Sequence, residues 1–385
     1  MMYKSHLIRI GIDALGIDTS GGGRTSILNL IQKVILLEKG WHFILYLSAF
    51  EKELDLPNVT QVVLPLRKGI LSRIIMQIFL PFDVIRRKID LVHFTKSQAS
   101  LLLFTKTILT IHDVTILLHP EIHPKLSSLY WKYIQPYMAR KMDAIIAVSN
   151  DGAEGITSLL KVPRKKISVI YNASQFSEDL MVEKQGSGLF TIEKFSLPSN
   201  YKIVIGQIAL KKNLDTLIKA IRILKDRNDL KSPLVMVGPR YSISDAGDIF
   251  NLIKELDLDE DVIYLGSVDR ADLLMILKNA EILLMPSIHE GFGIPCLEAM
   301  QLGVPVIASN ASALPEVIGD AGMLVDNCKN PESWADAINE LEESETLRDL
   351  LIKKGLTRAG VFSWDRSAKI LATLYRNVLA IDNLE

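Results

Sequence analysis

Cysteine is nearly missing: Cys296 and Cys328 are the only two in 385 residues, too few for a disulfide framework or a four-thiolate metal site. No apolar run reaches the roughly 20 residues that would cross a bilayer. The opening Leu7-Ile-Arg-Ile-Gly-Ile12, broken by Arg9, is too short for a signal-peptide core. Net charge is also lacking, since 44 Lys and Arg against 45 Asp and Glu leave −1, so no global field favours nucleic acid. These absences predict a soluble chain suited to the reducing cytoplasm. What is present is apolar content: 48% of residues are hydrophobic, enough for two cores in a chain longer than one core usually fills.

The dominant rhythm is a short β-branched run, a turn, then an amphipathic stretch. Strand-like runs fall at 8–12, 43–47, 59–64, 91–94, 107–111 and 144–148, and the rhythm restarts at 202–205, 234–237, 262–265, 282–285, 304–308 and 323–325. Runs this short and uniformly apolar suit parallel sheets covered on both faces, and alternation with helices predicts a doubly wound α/β fold. Turn-rich Gln185-Gly-Ser-Gly188 and Leu197-Pro-Ser-Asn200 mark the break between halves. The domains expected are 1–190 and 191–365, both Rossmann-like, with a helix over 366–385 that could cross back to the first. Ligands of such sheets bind at the carboxyl ends of strands, so two such domains facing each other predict a cleft between them.

Four segments carry candidate chemistry. In Met285-Pro-Ser-Ile-His-Glu-Gly-Phe-Gly-Ile-Pro-Cys-Leu-Glu-Ala-Met300 a strand ends, a glycine-bearing loop follows, and Pro295 suits the first turn of a helix starting near Ile294. The free amides and dipole of that turn make an anion site, and glycines allow close backbone approach. Glu290 in the loop and Glu298 one turn into the helix could share a pocket, where carboxylates accept paired hydrogen bonds from a diol. A solvated loop charge and a solvated helix acid are the plainer alternative. In Ile205-Gly-Gln-Ile-Ala-Leu-Lys-Lys-Asn213, Lys211 and Lys212 precede a helix for which Asn213 is a plausible cap, an arrangement suited to a diphosphate or simply to a solvated loop.

Asp18-Thr-Ser-Gly-Gly-Gly-Arg-Thr25 places Gly22 and Gly23 in a loop at a helix entry, either a phosphate or sugar loop or a flexible connection. In Thr110-Ile-His-Asp-Val-Thr115, His112 and Asp113 directly follow a strand, although a lone His is more often a structural hydrogen-bonder. His119 and His123 lack a carboxylate or cysteine set to complete a metal site, so no metal ligand is assigned. Residues 67–88, apolar and flanked by Arg67-Lys68 and Arg86-Arg87-Lys88, read as a core-packing helix pair or a membrane-surface element.

The Glu290-x7-Glu298 segment resembles the signature of retaining glycosyltransferases with the GT-B fold, specifically their family 4 (the group 1 glycosyltransferases). Its continuations Gln301-Leu-Gly-Val-Pro-Val-Ile-Ala308 and Ala313-Leu-Pro-Glu-Val-Ile-Gly-Asp-Ala-Gly322 resemble the same family. The resemblance implies that Glu290 contacts the transferred sugar, Glu298 the donor ribose, and the backbone at Phe292, Gly293 and Ile294 the donor phosphate or sugar. It further implies donor phosphate on Lys212 with Lys211 beside it, His112 close to the transferred sugar, and Gly22, Gly23 and Asp113 at an acceptor or phosphate loop. Ser149 and Asn172 also match family positions, without a defined role. Gln207 stands where many members have Arg, and Thr25 where Tyr is usual. The nucleoside-diphosphate sugar is a substrate, so no cofactor and no divalent metal are expected. The pattern around residues 112–124 looks most like mannosyltransferases of bacterial polysaccharide assembly, with a glycan or lipid-linked acceptor; the basic, apolar 67–88 would itself suit peripheral contact with the inner face of the plasma membrane. Two rivals stay in view: a sugar-nucleotide epimerase or phosphorylase of the same fold, and a catalytically silent sugar-nucleotide-binding subunit.

Overall fold

Runs without polar alternation, such as Ala144–Ala147 and Ile282–Met285, are strands buried along their whole length in the computed structural model. The structure describes residues 7–15, 22–64, 70–174, 176, 188–240 and 249–381. Residues 18–21 of the glycine loop, 67–68 of the basic flank and 185–187 of the turn-rich break lie outside the described residues. The chain divides into two units: Met1–Gln175 with Ser363–Glu385, and Phe176–Phe362.

The first unit carries β1 (Arg9–Asp13), β2 (His42–Leu47), β3 (Val59–Val63), β4 (Leu91–Phe94), β5 (Lys106–Ile111), β6 (Ala144–Ala147) and β7 (Ile167–Val169), all parallel in the order 3-2-1-4-5-6-7. The second carries β8 (Lys202–Ile205), β9 (Leu234–Val237), β10 (Val262–Gly266), β11 (Ile282–Met285), β12 (Val306–Ser309) and β13 (Met323–Val325), parallel in the order 10-9-8-11-12-13. Both are doubly wound α/β sheets, as predicted. Strand order reverses beside the first strand of each, between β1 and β4 and between β8 and β11, and loops diverging there open the place where such sheets bind ligands. The sequence reading passed over β7, three residues with a central Ser168 and too short for a periodic signal.

Helices of eight residues or more are α1 (Gly22–Leu37), α2 (Ile70–Arg87), α3 (Lys125–Lys141) and α4 (Asn150–Leu160), then α5 (Leu214–Asp226), α6 (Arg270–Lys278), α7 (Ile294–Gln301), α8 (Pro331–Glu343), α9 (Glu345–Ala359) and α10 (Trp364–Leu379). The expected helix pair around Pro81 is one helix, α2, running through the proline. Its buried side explains the continuity: Met76, Leu80 and Val84 repeat at four-residue spacing and anchor the helix on the sheet on both sides of Pro81. Among the described residues no helix is long and apolar enough to cross a membrane.

In the first unit α1 and α10 cover one sheet face, with Ile27, Ile31 and Val34 in a core shared with Leu371, Ala372 and Tyr375. Ser363 caps α10 by accepting from the Arg366 amide at 3.2 Å, and Ser367 Oγ donates to the Tyr171 carbonyl at 2.6 Å. Helices α2, α3 and α4 cover the other face.

Candidate active site

The second unit gathers its candidates where strand order reverses. After β8, Gly206 adopts φ +146, and a Cβ there would come within 2.8 Å of Cε and Nζ of Lys212. Only glycine lets that side chain fold back over the strand end. A short 3-10 turn, Leu210–Lys212, then delivers Lys211 and Lys212. Asn213 does occupy the cap position of α5, but in the left-handed conformation at φ 53 and without a side-chain cap bond. Its amide instead donates to the carbonyls of Pro286 (3.2 Å) and Cys328 (2.7 Å), and its oxygen accepts from Thr216 Oγ1 at 2.8 Å. The residue expected as a cap is a tie between the loops after β8 and β11.

A second tie runs from the Ile288 amide to the Lys211 carbonyl at 2.9 Å. Ser312 closes the loop from the other side, donating Oγ to the Glu290 carbonyl at 2.6 Å. Held this way, Glu290 meets Lys212: Nζ to Oε1 is 2.6 Å, with both side chains largely buried. Burial pushes the Glu290 carboxyl up, yet the cations of Lys212 and Lys211 outweigh it and hold the group below the usual range. The glutamate is ionised, and its charge is balanced on the spot.

Helix α7 starts at Ile294, where the sequence placed it, with Pro295 in its first turn and Gly293 as cap at φ 101. A Cβ on Gly293 would meet Leu314 Cδ2 at 2.7 Å, so glycine is required here too. The Phe292 ring is buried edge-to-face against Phe362 at 5.5 Å, which leaves Phe292 its backbone as the part to offer a ligand. Glu298 is buried one turn into α7. The Cys296 thiol between them reports on their nearness: burial raises its pKa, Glu290 and Glu298 raise it further, and Lys212 opposes them. Lys212, Glu290 and Glu298 thus act on one point. Gln207 lines a recess at the β8 end together with Gly206, Ile208 and Lys212.

The remaining candidates belong to the first unit. His112 follows β5 directly, and its Nε2 lies 2.8 Å from the Thr95 carbonyl. A carbonyl only accepts, so Nε2 carries the proton and Nδ1 is left as an acceptor. Burial, helped by Lys96, depresses the His112 pKa despite Asp113, and the ring is neutral. Asp113 accepts from the Thr115 amide at 3.2 Å. Gly22 and Gly23 form the first turn of α1 and not the loop before it, a turn whose N–H groups have no partner within the helix. His119 pairs with Glu121 at 3.3 Å. Among the described residues no three His, Cys, Asp or Glu side chains are grouped to hold a metal ion.

Asp13 was not singled out from the sequence. It ends β1 beside the reversal of strand order, and its carbonyl accepts from Thr95 Oγ1 at 2.6 Å. Burial raises its carboxyl to about 6 against the Leu15 amide and Lys96. Its position at the end of the first strand was the available signal.

A family model described as glycosyl transferases group 1 matches residues 190–358, and one described as glycosyltransferase family 4 matches 20–174. The O-antigen chain mannosyltransferase B of Escherichia coli is 30% identical over 275 residues, 70% of this chain and 70% of its own. WaaG, a glycosyltransferase involved in lipopolysaccharide biosynthesis, has a TM-score of 0.75 at 14% identity, over 95% of this chain and 99% of its own. Anabaena HepE in complex with UDP-glucose gives 0.69 at 17% identity, over 96% and 99%. At those identities the two structures speak to the fold, which is GT-B. By sequence and by fold, the chain belongs to the group 1, family 4 glycosyltransferases.

Proposed function

We propose that this chain moves a hexose, mannose before others, from a nucleoside-diphosphate sugar to a glycan or lipid-linked glycan, with retention at the anomeric carbon, in cell-surface polysaccharide synthesis. The observation that carries the reading is the Lys212–Glu290 pair beside the start of α7. In the reaction the bond from C1 to the diphosphate oxygen breaks, an acceptor oxygen bonds to C1, and the acceptor proton leaves with the nucleoside diphosphate. Negative charge grows on the diphosphate, where Lys212, Lys211 and the helix dipole stabilise it without calling on a divalent cation. Positive charge grows at C1, where an ionised Glu290 supports it. Glu298 accepts from the ribose hydroxyls, and neutral His112 offers Nδ1 to a sugar hydroxyl. The crystallised HepE complex supports the donor class, and the E. coli mannosyltransferase supports the sugar. We place the enzyme in the cytoplasm, peripheral to the plasma membrane through 67–88.

Glu290→Ala is expected to slow transfer about a thousandfold or more. Chelator leaves the wild-type rate unchanged, and a thermal-shift panel of UDP-, GDP- and ADP-sugars gives its largest shift with GDP-mannose. Full activity of Glu290→Ala removes the site assignment.

A further inference from the structure

Phe292 and Gly293, at the entry to α7, are backed by two different pieces of the second unit. Behind Phe292 stands the buried ring of Phe362, edge-to-face at 5.5 Å. Behind Gly293 stands Leu314, whose Cδ2 would lie 2.7 Å from any Cβ placed there. Leu314 opens the short helix Leu314–Ile318, and Phe362 follows the end of α9. A turn that offers backbone to a ligand is only as well placed as what stands behind it.

Both supports lead to one side chain. Arg358, in the last turn of α9, lays its guanidinium over the Phe362 ring at 5.1 Å. The same group donates Nε to the Val317 carbonyl at 2.9 Å and Nη2 to the Glu316 carbonyl at 2.5 Å. These belong to the last turn of the short helix, where carbonyls lack partners within the helix. A planar fork can meet two carbonyls and keep its face for a ring, which an ammonium cannot. Helix α9 gives Arg358 a fixed base, because its Gly355 lies so close to α7 that a Cβ would come within 3.3 Å of Met300 Cγ. Asp320, just past the short helix, takes Lys354 as its partner at 2.8 Å, and the arginine's own bonds go to carbonyls.

We propose that Arg358 is a positioning residue for the donor: it holds Phe362 against Phe292 and Leu314 against Gly293, and so fixes the turn 292–294 whose amides take the donor diphosphate. It rests on the transferase reading of that turn and adds what keeps the turn in place. Amides displaced by a fraction of an ångström lose phosphate binding. They do not lose the nucleoside, because Glu298, assigned to the ribose, sits in the body of α7.

Titration calorimetry of the full chain tests this with GDP, UDP and ADP and their nucleosides, below the melting temperature of every variant. With the diphosphate that wild type binds most tightly, Arg358→Gln is expected to weaken binding about tenfold, and Phe362→Leu about threefold. The matching nucleoside should lose less than about twofold in both. An arginine that only stabilises the fold would lower the melting temperature and leave the diphosphate affinity of the folded protein unchanged. That result overturns the proposal, and so do equal losses of diphosphate and nucleoside. Should Arg358→Gln fail to fold, Phe362→Leu decides by the same ratio. Wild type that binds none of the three diphosphates removes the transferase reading as well, whereas normal wild-type binding with unchanged variants removes only the role of Arg358.

Discussion

The two units share a strand order and differ in what stands where that order reverses. Beside β8 and β11, Glu290 is buried against Lys212, whose cation with that of Lys211 holds the carboxylate ionised. Beside β1 and β4 no such ion pair stands: burial leaves the His112 ring neutral and lifts the Asp13 carboxyl to about 6, so that its charge is disfavoured. Topology supplies the position, and side chains select the ligand class. Opposed fixed charges suit a diphosphate and an ionising C1–O bond. Hydrogen-bond acceptors such as the His112 Nδ1 suit hydroxyl groups. Among the described residues the outer surfaces differ in the same spirit: exposed large apolar side chains gather on α2, Phe104 and α3 of the first unit, and those of the second are a scattered few such as Leu350 and Leu356.

The largest effect should come from Gly238→Ala, which attacks the backbone that sets the charges of the second unit. Gly238 directly follows β9 at φ +149, and a Cβ there would stand 1.9 Å from the Gly206 carbonyl oxygen. Backbone cannot yield as a side-chain tip does, so strain and clash together should destabilise the unit by about 4 kcal/mol. The Gly206 loop carries Lys212, so donor-induced thermal shifts should vanish as well. In the first unit, a Cβ on Gly11 of β1 would meet side-chain carbons of Ile89 at 3.2 and 3.3 Å and of Val92 at 3.5 Å, and Gly11→Ala should be mild. Equal losses of melting temperature in the two variants would erase the contrast.

Much of this was legible beforehand because it is local. Strands covered on both faces read as apolar runs, and Gly293 with Pro295 announces the start of α7. What was not legible is relational. Lys212 and Glu290 meet across 78 positions, and nothing in either segment signals the partner. Asn213 looks like a cap until Pro286 and Cys328 are seen to take its amide. Pro81 looks like a break until the buried face on both sides of it is known. Asp13 is an ordinary strand-end acid until its burial is measured.

Asp13→Asn sharpens the claim that the first unit disfavours charge. The native carboxyl titrates near 6 and the unfolded one near 3.8. Folding is therefore unpenalised below pH 3.8, and stability falls as pH rises through 6, by about 2–3 kcal/mol in full. Asparagine cannot ionise, so the variant should exceed wild type by roughly that amount at pH 8. The advantage should shrink below about 1 kcal/mol near pH 4.5. Urea melts followed by tryptophan fluorescence suit the measurement, because Trp41, Trp131 and Trp364 lie in the first unit. An advantage independent of pH would mean that the carboxyl is ionised without penalty.

The smallest effect expected is that of Tyr375→Phe, which asks how the C-terminal helix is held to the first sheet. The Tyr375 hydroxyl lies 2.7 Å from His93 Nδ1, and His93 Nε2 lies 2.8 Å from Thr110 Oγ1. Burial drives the His93 pKa down to about 3, so the ring is neutral and both its nitrogens need partners. Phenylalanine keeps the ring contacts with Trp41 at 6.2 Å and His93 at 5.7 Å, and so isolates the hydroxyl. Leaving Nδ1 unpaired in the core should destabilise the unit by about 1–2 kcal/mol. Tyr201 gives the comparison in the second unit: its buried hydroxyl donates to the Ile276 carbonyl at 2.6 Å, which the Ala280 amide passes over for the Leu277 carbonyl. Tyr201→Phe should therefore cost about as much, roughly 1–2 kcal/mol. A loss near zero in Tyr375→Phe alone would mean that the histidine finds another partner and that α10 is held by packing alone.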